Sequence, residues 1–212
     1  LKSLANLPPN VEILDIKHNS LTELLSADIP SKVIEINASK NNIQLVDLSL
    51  NLTIRVLILN SNPLNSMLNF PANISELHVS STHISSIKSI ENLLNLTILR
   101  MNITDVDNID NLPDSLIDLS ASKILLRGSN GIVKKLPSHL MRLSVHSCEI
   151  AKFDFEKFPS GLVHLDAFDN LLTELPLFPD FMTFVDLSNN SLLKFKNVPK
   201  DVQHFDCSNN SY

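Results

Sequence analysis

One apolar pattern recurs ten times along the chain, and its period constrains the fold more than any other feature. The first copy has apolar residues at Val11, Leu14, Ile16 and Leu21 and an asparagine at Asn19. Numbered from the first apolar residue of each repeat, these are positions 1, 4, 6, 11 and 9. The copies begin, 20 to 24 residues apart, at Val11, Val33, Ile54, Ile74, Leu96, Leu116, Leu140, Leu162, Met182 and Val202. Such a period predicts a solenoid in which each repeat buries its apolar face against its neighbours.

Strand alternation predicts which side chains face inward. Positions 4 and 6 are expected inside the solenoid, and positions 3, 5 and 7 are expected on the opposite side of the strand. Leu143, Leu165 and Leu187 should therefore be fully buried. Ten stacked strands give one parallel sheet with an outer face about 45 Å long, which is ample for a protein partner.

The residue at position 9 is asparagine in six repeats. An amide at this turn can satisfy backbone groups that the bend would leave unpaired inside the array, so we interpret it as structural. Small substitutes stand at position 9 in three other repeats, as Thr82, Thr104 and Cys148. The repeat that starts at Leu116 is irregular, because it has Ile124 at position 9 and is the longest, at 24 residues. Its segment 127–131 (RGSNG) predicts an extra turn on the flank.

A proline in phase with the repeat indicates how the chain re-enters each strand. Proline fixes φ and biases the preceding residue towards extended geometry. It stands three residues before position 1 in eight of the ten repeats, at Pro8, Pro30, Pro71, Pro113, Pro137, Pro159, Pro179 and Pro199. The short return segments leave no room for a long helix. We expect extended segments and single turns there, and a strongly curved solenoid.

Composition limits the class of partner and the number of domains. The net charge of −6 disfavours nucleic acid, because binding phosphates needs a basic stripe. No apolar run approaches the roughly 18 residues that span a membrane, so we expect no membrane span in this segment. One shared core predicts a single domain over residues 1–212. Because the chain begins and ends in mid-repeat, we interpret it as a fragment of a longer protein.

Cysteine and asparagine usage favour an intracellular location over an extracellular one. Cys148 and Cys207 lie three strand spacings apart, about 14 Å, which is too far for a disulfide. Buried free thiols suit a reducing compartment. Seven Asn-x-Ser/Thr sequons occur, at Asn37, Asn51, Asn73, Asn95, Asn102, Asn189 and Asn209. Four of them lie on or beside strands, where a glycan would cover the outer face. We therefore interpret most of the sequons as a consequence of the asparagine-rich composition.

The short period, the proline phase and segments such as 7–16 (LPPNVEILDI) and 29–39 (IPSKVIEINAS) resemble the leucine-rich repeats of bacterial effectors of the YopM and IpaH type. The resemblance covers essentially all 212 residues. It implies a curved right-handed horseshoe of the α/β class, with a parallel β-sheet on the concave face and a mostly extended or turn convex side. It also implies that the protein binds host proteins inside a host cell. Some such effectors carry a ubiquitin-ligase domain after the repeats, but nothing in this segment supplies a ligase nucleophile.

The outer face of the last repeats combines acidic, imidazole and aromatic side chains. Exposed aromatics beside charges on a rigid sheet are typical of binding hot spots, and carboxylates would attract a basic partner. The candidate partner-binding residues are His164, Asp166, Phe168, Phe184, Asp186, His204 and Asp206. A secondary candidate site consists of Arg100, Arg142 and His146.

Two other interpretations of this face remain open. Phe168 and Phe184 could pack on each other above a merely solvated row of carboxylates. Alternatively, stacked carboxylates that raise one another's pKa could hold a hard cation such as Ca²⁺. The sequence lacks the ligand spacing of a calcium loop, so we assign no metal.

An enzyme is not expected. A catalytic site needs a nucleophile, an oriented base and a pocket. His146 has Ser122 and Ser144 near it in the repeat columns, but a sheet offers no closed cleft and no oxyanion donors. We therefore predict a non-enzymatic protein-protein recognition module, without a cofactor, that binds a protein on its concave sheet and serves as a pathogen effector. The alternatives are an adhesion or receptor fragment, or the substrate-recognition arm of an enzyme such as a ubiquitin ligase; the oligomeric state stays open.

Overall fold

The computed structural model describes residues 1–65, 67–194 and 198–211. Contacts between residues divide the chain into two compact units, which we call unit one (Leu1–Asp105) and unit two (Val106–Tyr212). The single domain expected over residues 1–212 stays a prediction.

Unit one contains eight short strands, which fall into two parallel sheets. They are β1 (Ile13–Asp15), β2 (Glu23–Leu25), β3 (Glu35–Asn37), β4 (Leu45–Asp47), β5 (Val56–Ile58), β6 (Met67–Asn69), β7 (Glu76–His78) and β8 (Ile98–Arg100). One sheet has the order β1-β3-β5-β7-β8 and carries positions 3 to 5 of successive repeats. The other has the order β2-β4-β6 and lies on the return side of the repeats. A 3-10 turn at Ser26–Asp28 follows β2.

Unit two repeats this plan with seven strands. They are β9 (Asp118–Ser120), β10 (Ile132–Val133), β11 (Arg142–Ser144), β12 (Lys152–Phe153), β13 (His164–Asp166), β14 (Phe184–Asp186) and β15 (His204–Asp206). The main sheet has the parallel order β9-β11-β13-β14-β15, and β10 pairs with β12 on the return side. Among the described residues, the 3-10 turns at Ser26–Asp28 and Arg127–Ser129 are the only helical segments. The parallel sheets and the mostly extended return segments confirm the leucine-rich repeat solenoid predicted from the period.

The inward positions form the core, as strand alternation predicts. Positions 4 and 6 are buried in nine of the ten repeats, from Leu14 and Ile16 to Val185 and Leu187. In the last repeat, Phe205 and Cys207 are half-buried. Leu143, Leu165 and Leu187 are fully buried, as expected.

In six repeats the proline closes the turn that leads into the outer-face strand. Its carbonyl accepts a hydrogen bond from the position 1 amide three residues later, as in Leu162 N–H to Pro159 O (3.0 Å) and Leu140 N–H to Pro137 O (3.2 Å). The turn predicted in the longest repeat is also present. It is the 3-10 turn after Leu126, followed by Asn130 and Gly131 with φ of 52° and 70°.

The turn after each outer-face strand uses left-handed backbone that the sequence did not reveal. Position 8 has φ between 54° and 57° in all ten repeats, at His18, Lys40, Ser61, Ser81, Ile103, Lys123, Ser147, Asp169, Asn189 and Asn209. This conformation suits glycine and asparagine, and it is unfavourable for a β-branched residue. Ile103 is therefore the strained member of the set, and its side chain is 53% exposed, so burial does not compensate.

Replacing Ile103 with asparagine should stabilise the protein. Asn tolerates positive φ, so Ile103→Asn is expected to raise the free energy of unfolding by about 1 kcal/mol in urea titrations. Ile117 is a matched control because it is also exposed but does not have positive φ. A gain at Ile117→Asn as large as at Ile103→Asn would show that backbone strain is not the cause.

Leu165 tests the register of the core. It is fully buried and lies in register between Leu143 and Val185. Leu165→Ala should lower the free energy of unfolding by about 2 to 5 kcal/mol, as a core truncation does. Leu171→Ala, at a site 55% exposed, should cost far less. A loss below about 1 kcal/mol at Leu165 would contradict the assigned register.

Candidate partner-binding surface

The main candidate residues lie on the outer face of the sheet of unit two, which we define as the side carrying positions 3, 5 and 7. The inward neighbours of these positions are fully buried from β9 to β14 and half-buried in the last repeat, so the columns of outer side chains point away from the core. Parallel register aligns each column. The ring column at position 3 contains His164, Phe184 and His204, and the acidic column at position 5 contains Asp166, Asp186 and Asp206. Phe168 lies in the column of position 7, between His146 and Ser188.

Aromatic rings stack within both flanking columns. The Phe184 ring lies between the rings of His164 and His204, with centroid distances of 4.2 and 4.5 Å and interplanar angles of 9°. The Phe168 ring stacks on His146 at 4.6 Å and 13°. Phe168 and Phe184 are thus each half-buried against imidazoles. The interpretation in which the two phenylalanines pack on each other is wrong.

Burial favours the neutral form of the His164 imidazole. Desolvation is the main cause that lowers the pKa of His164, and Arg142 and His204 act in the same direction. The carboxylate of Asp166 opposes them. Since the neutral ring dominates near pH 7, it stacks against Phe184 without burying a charge.

Two of the three aspartates in the acidic column, Asp186 and Asp206, are held in place by hydrogen bonds from serines two residues further along. The Asp186 carboxylate accepts from the amide of Ser188 (3.0 Å) and from its hydroxyl (2.7 Å). Asp206 accepts from the amide of Ser208 (2.8 Å), and this bond is the main cause that lowers the pKa of Asp206. The expectation that stacked carboxylates raise one another's pKa is therefore wrong for Asp206.

Asp166 sits on a chain of hydroxyl groups. Its Oδ2 accepts from the Ser144 hydroxyl (3.0 Å), and that hydroxyl lies 3.0 Å from the Ser122 hydroxyl. The backbone amide of His146 donates to the Ser122 oxygen (3.2 Å). The other carboxylate oxygen of Asp166, Oδ1, is buried and has no donor among the described residues.

The secondary candidates are divided between the two units. Arg100 lies on β8 of unit one, and its Nη1 donates to the carbonyl of Leu99 (3.4 Å). Arg142 and His146 lie in unit two, where Arg142 is exposed and the His146 ring stacks on Phe168. Within unit two, His146 therefore belongs to the same surface as the main candidates.

Among the described residues, the hydroxyl of Ser144 donates to Asp166 and not to the imidazole of His146. The Nδ1 of His146 lies 3.3 Å from the hydroxyl of Ser147, and its ring stacks on Phe168 rather than turning to Ser144. The thiol of Cys148 is buried, and desolvation raises its pKa to about 11, so it stays protonated at neutral pH. Among the described residues, no three His, Cys, Asp or Glu side chains converge to hold a metal ion.

The supporting serines are the part of this surface that the sequence analysis missed. Ser188 and Ser208 follow their aspartates in the order Asp-x-Ser, and Asp47 with Ser49 shows the same bond in unit one, at 2.8 Å between the side chains. An Asp two residues before a Ser at the end of a strand is a local side-chain to backbone motif. That spacing was the signal that could have identified them.

Comparisons with known proteins support the fold. No protein-family model and no curated protein sequence matches the chain. Its structure is similar to that of YopM from Yersinia enterocolitica WA-314, with a TM-score of 0.84 and 24% identity over 99% of this chain and 44% of that one. It is similar to the functional domain of InlJ from Listeria monocytogenes, with a TM-score of 0.72 and 24% identity over 85% of this chain and 40% of that one. It is also similar to a chain of an octameric complex of Latrophilin 3, Unc5D and the leucine-rich repeats of FLRT2, with a TM-score of 0.58 and 16% identity over 97% of this chain and 87% of that one.

These likenesses establish a leucine-rich repeat fold. Because all three identities lie below 25%, they establish the fold alone. The chain spans less than half the length of the YopM and InlJ chains it resembles. In the described part of the chain, no helix is long and apolar enough to cross a membrane.

Proposed function

We propose that this chain is a non-enzymatic recognition module that binds a basic segment of a partner protein on the outer face of unit two. The observation that carries the proposal is the acidic column of Asp166, Asp186 and Asp206, which runs between two columns that hold stacked rings. Such a surface offers both a partly desolvated apolar contact and a fixed negative charge. Aromatic anchors supply much of the energy of binding hot spots, and complementary charges add specificity.

The rings can contribute binding energy because they are already ordered. The stacks hold the rings of Phe168 and Phe184 in place before a partner arrives, so little side-chain entropy is lost on binding. Both faces of Phe184 are covered by imidazoles, and a partner would meet its edge. Phe168 has a ring on one side only, since the next residue of its column is Ser188. Its other face suits the guanidinium or ammonium group of a partner, which would then lie close to the acidic column.

The carboxylates would orient the partner and favour arginine or lysine. Asp186 and Asp206 are held in place by hydrogen bonds from their serines. Asp166 is held by the Ser144 hydroxyl (3.0 Å), and because its Oδ1 is buried it would act on the partner through its charge, not through a direct bond at that oxygen. Electrostatic attraction of this kind mainly raises the association rate and the specificity.

The similarity in fold also supports a proposal about the biological role of the protein. The resemblance to effector-type repeats and to YopM supports a role as a pathogen effector whose partner is a host protein. The FLRT2 repeats in the octameric complex illustrate a leucine-rich repeat domain assembled with other proteins.

Capture of partners by matched variants tests the proposed surface. Wild-type protein, Phe168→Ala/Phe184→Ala and Asp186→Asn/Asp206→Asn would be used to capture binding proteins from a host-cell lysate, with quantitative mass spectrometry. Both double variants should lose the partners that the wild type retains. Truncating a hot-spot anchor typically costs more than about 1 kcal/mol, so losing two should weaken binding by roughly thirtyfold or more. Partners lost by the aspartate variant should be basic and should dissociate as the salt concentration rises.

The control is Leu171→Ala/Phe181→Ala, which removes two exposed apolar side chains, 55% and 72% accessible, outside these columns. It should capture the same partners as the wild type. Thermal unfolding of every variant separates a lost surface from a lost fold. Unchanged capture by a folded Phe168→Ala/Phe184→Ala variant would contradict the proposal and would direct the search to Arg100 or Arg142.

A further inference from the structure

A second feature of unit two is a pocket on the return side of the repeats, outside the columns described above. Its volume is about 320 Å³. It lies between the segment that follows β10 and the segment that follows β12. Its lining includes Lys134, Lys135, Leu136, Phe155, Lys157 and Pro159.

The pocket arises because two equivalent return segments differ in length. Val133 and Phe153 are paired in register, but Pro137 follows the first by four residues and Pro159 follows the second by six. The longer segment pairs forward, with the next repeat. Leu177 donates its amide to Glu156 O (2.9 Å), and the amide of Phe158 donates to Leu177 O (3.1 Å). Its other side, towards residues 134–138, forms one wall of the pocket.

The walls are positively charged in a chain whose net charge is −6. Three lysines and no acidic residue line the pocket. Lys135 is partly neutralised by Asp114, at 3.3 Å. No ion pair between described residues involves the side chains of Lys134 and Lys157. Since an uncompensated cation on a concave surface concentrates anions, the pocket favours an anionic ligand.

The rest of the lining is apolar and ordered. Leu136 is buried. The ring of Phe155 is half-buried and is held against Phe153, with centroids 5.7 Å apart, and against Phe158, at 5.6 Å with the rings nearly perpendicular. Phe155 and Pro159 therefore offer flat apolar surfaces to a ring inside the pocket. The volume is at the small end of ligand pockets, which fits one ring with an attached charged group.

We propose that this pocket binds the side chain of a modified tyrosine, a phenyl ring that carries a phosphate or sulfate group, presented by a partner protein. The ring would pack against Phe155 and Pro159, and the anionic group would lie between Lys134 and Lys157. Ammonium groups are compact donors that bind phosphoryl and sulfuryl oxygens without a fixed direction, so both modifications fit the same lysines.

Titration with small probes tests the pocket independently of the outer face. Phenyl phosphate, phenyl sulfate and inorganic phosphate would be added to the whole chain, with amide chemical shifts recorded by NMR. Phenyl phosphate or phenyl sulfate should bind saturably and shift the amides of residues 134–138 and 155–160. Inorganic phosphate should bind at least about fivefold more weakly, because it lacks the ring. The tighter of the two aryl probes identifies phosphotyrosine or sulfotyrosine as the source.

Two test variants and one control variant locate the binding. Lys134→Gln/Lys157→Gln should weaken phenyl phosphate binding by about fivefold, the combined loss of two exposed charge contacts, and Phe155→Ala should weaken the aryl probes more than inorganic phosphate. The control Lys194→Gln/Lys200→Gln removes two exposed lysines elsewhere in unit two and should leave binding unchanged. The proposal fails if no probe saturates, if inorganic phosphate binds as tightly as phenyl phosphate, or if the Lys134→Gln/Lys157→Gln variant binds like the control.

Discussion

The side-chain amide of the asparagine at position 9 joins consecutive repeats. In Asn41, Nδ2 donates to Ala38 O of its own repeat (3.1 Å) and to Ile16 O of the preceding one (3.0 Å), while Oδ1 accepts from the amide of Leu21 (3.0 Å). The asparagines at position 9 of four later repeats make the same three bonds. They are Asn62, Asn170, Asn190 and Asn210. A turn inside the array leaves buried backbone groups without a partner and out of reach of water. Each such unsatisfied group would lower the free energy of unfolding by about 1 to 3 kcal/mol. The outer-face columns depend on this ladder because it fixes the strand ends from which their side chains project.

The ladder is weakest in the middle of the chain. The hydroxyls of Thr82 and Thr104 each donate to one carbonyl, in their own repeat (2.7 and 3.0 Å), and the buried Ile124 has no side-chain donor. Cys148 replaces the amide with a thiol that donates to Ala121 O (3.1 Å) and His146 O (3.2 Å). The boundary between the two compact units, after Asp105, falls within this run of repeats.

The period of the apolar repeat predicted most of the fold. The alignment of equivalent positions in successive repeats predicted which residues form the candidate surface. Position 4 and 6 burial, the structural asparagine and the extra turn near Gly131 all followed from the repeat. The left-handed backbone at position 8 did not, because residues such as Lys40 and Ile103 carry no glycine or asparagine signature. The ring stacks were missed because Phe168 and Phe184 belong to different columns, and each column supplies a histidine as the neighbour. The lysine pocket was missed because it depends on the lengths of two return segments, which vary between repeats outside the periodic pattern.

Hydrogen exchange at the ladder tests this account most directly. In Asn170→Ala, the amides of Cys148 and Ile150 lose their acceptor, which lies 3.1 and 2.9 Å away in the wild type. Their exchange should become at least about fivefold faster, since a lost buried hydrogen bond is worth roughly 1 to 3 kcal/mol. The reference, measured by NMR in the same sample, is the amide of Leu21, which donates to Asn41. Asn42→Ala, which removes an exposed asparagine, should leave both amides as protected as in the wild type. Unchanged protection of Cys148 and Ile150 in a folded Asn170→Ala variant would contradict the claim that the asparagine ladder holds the repeats together.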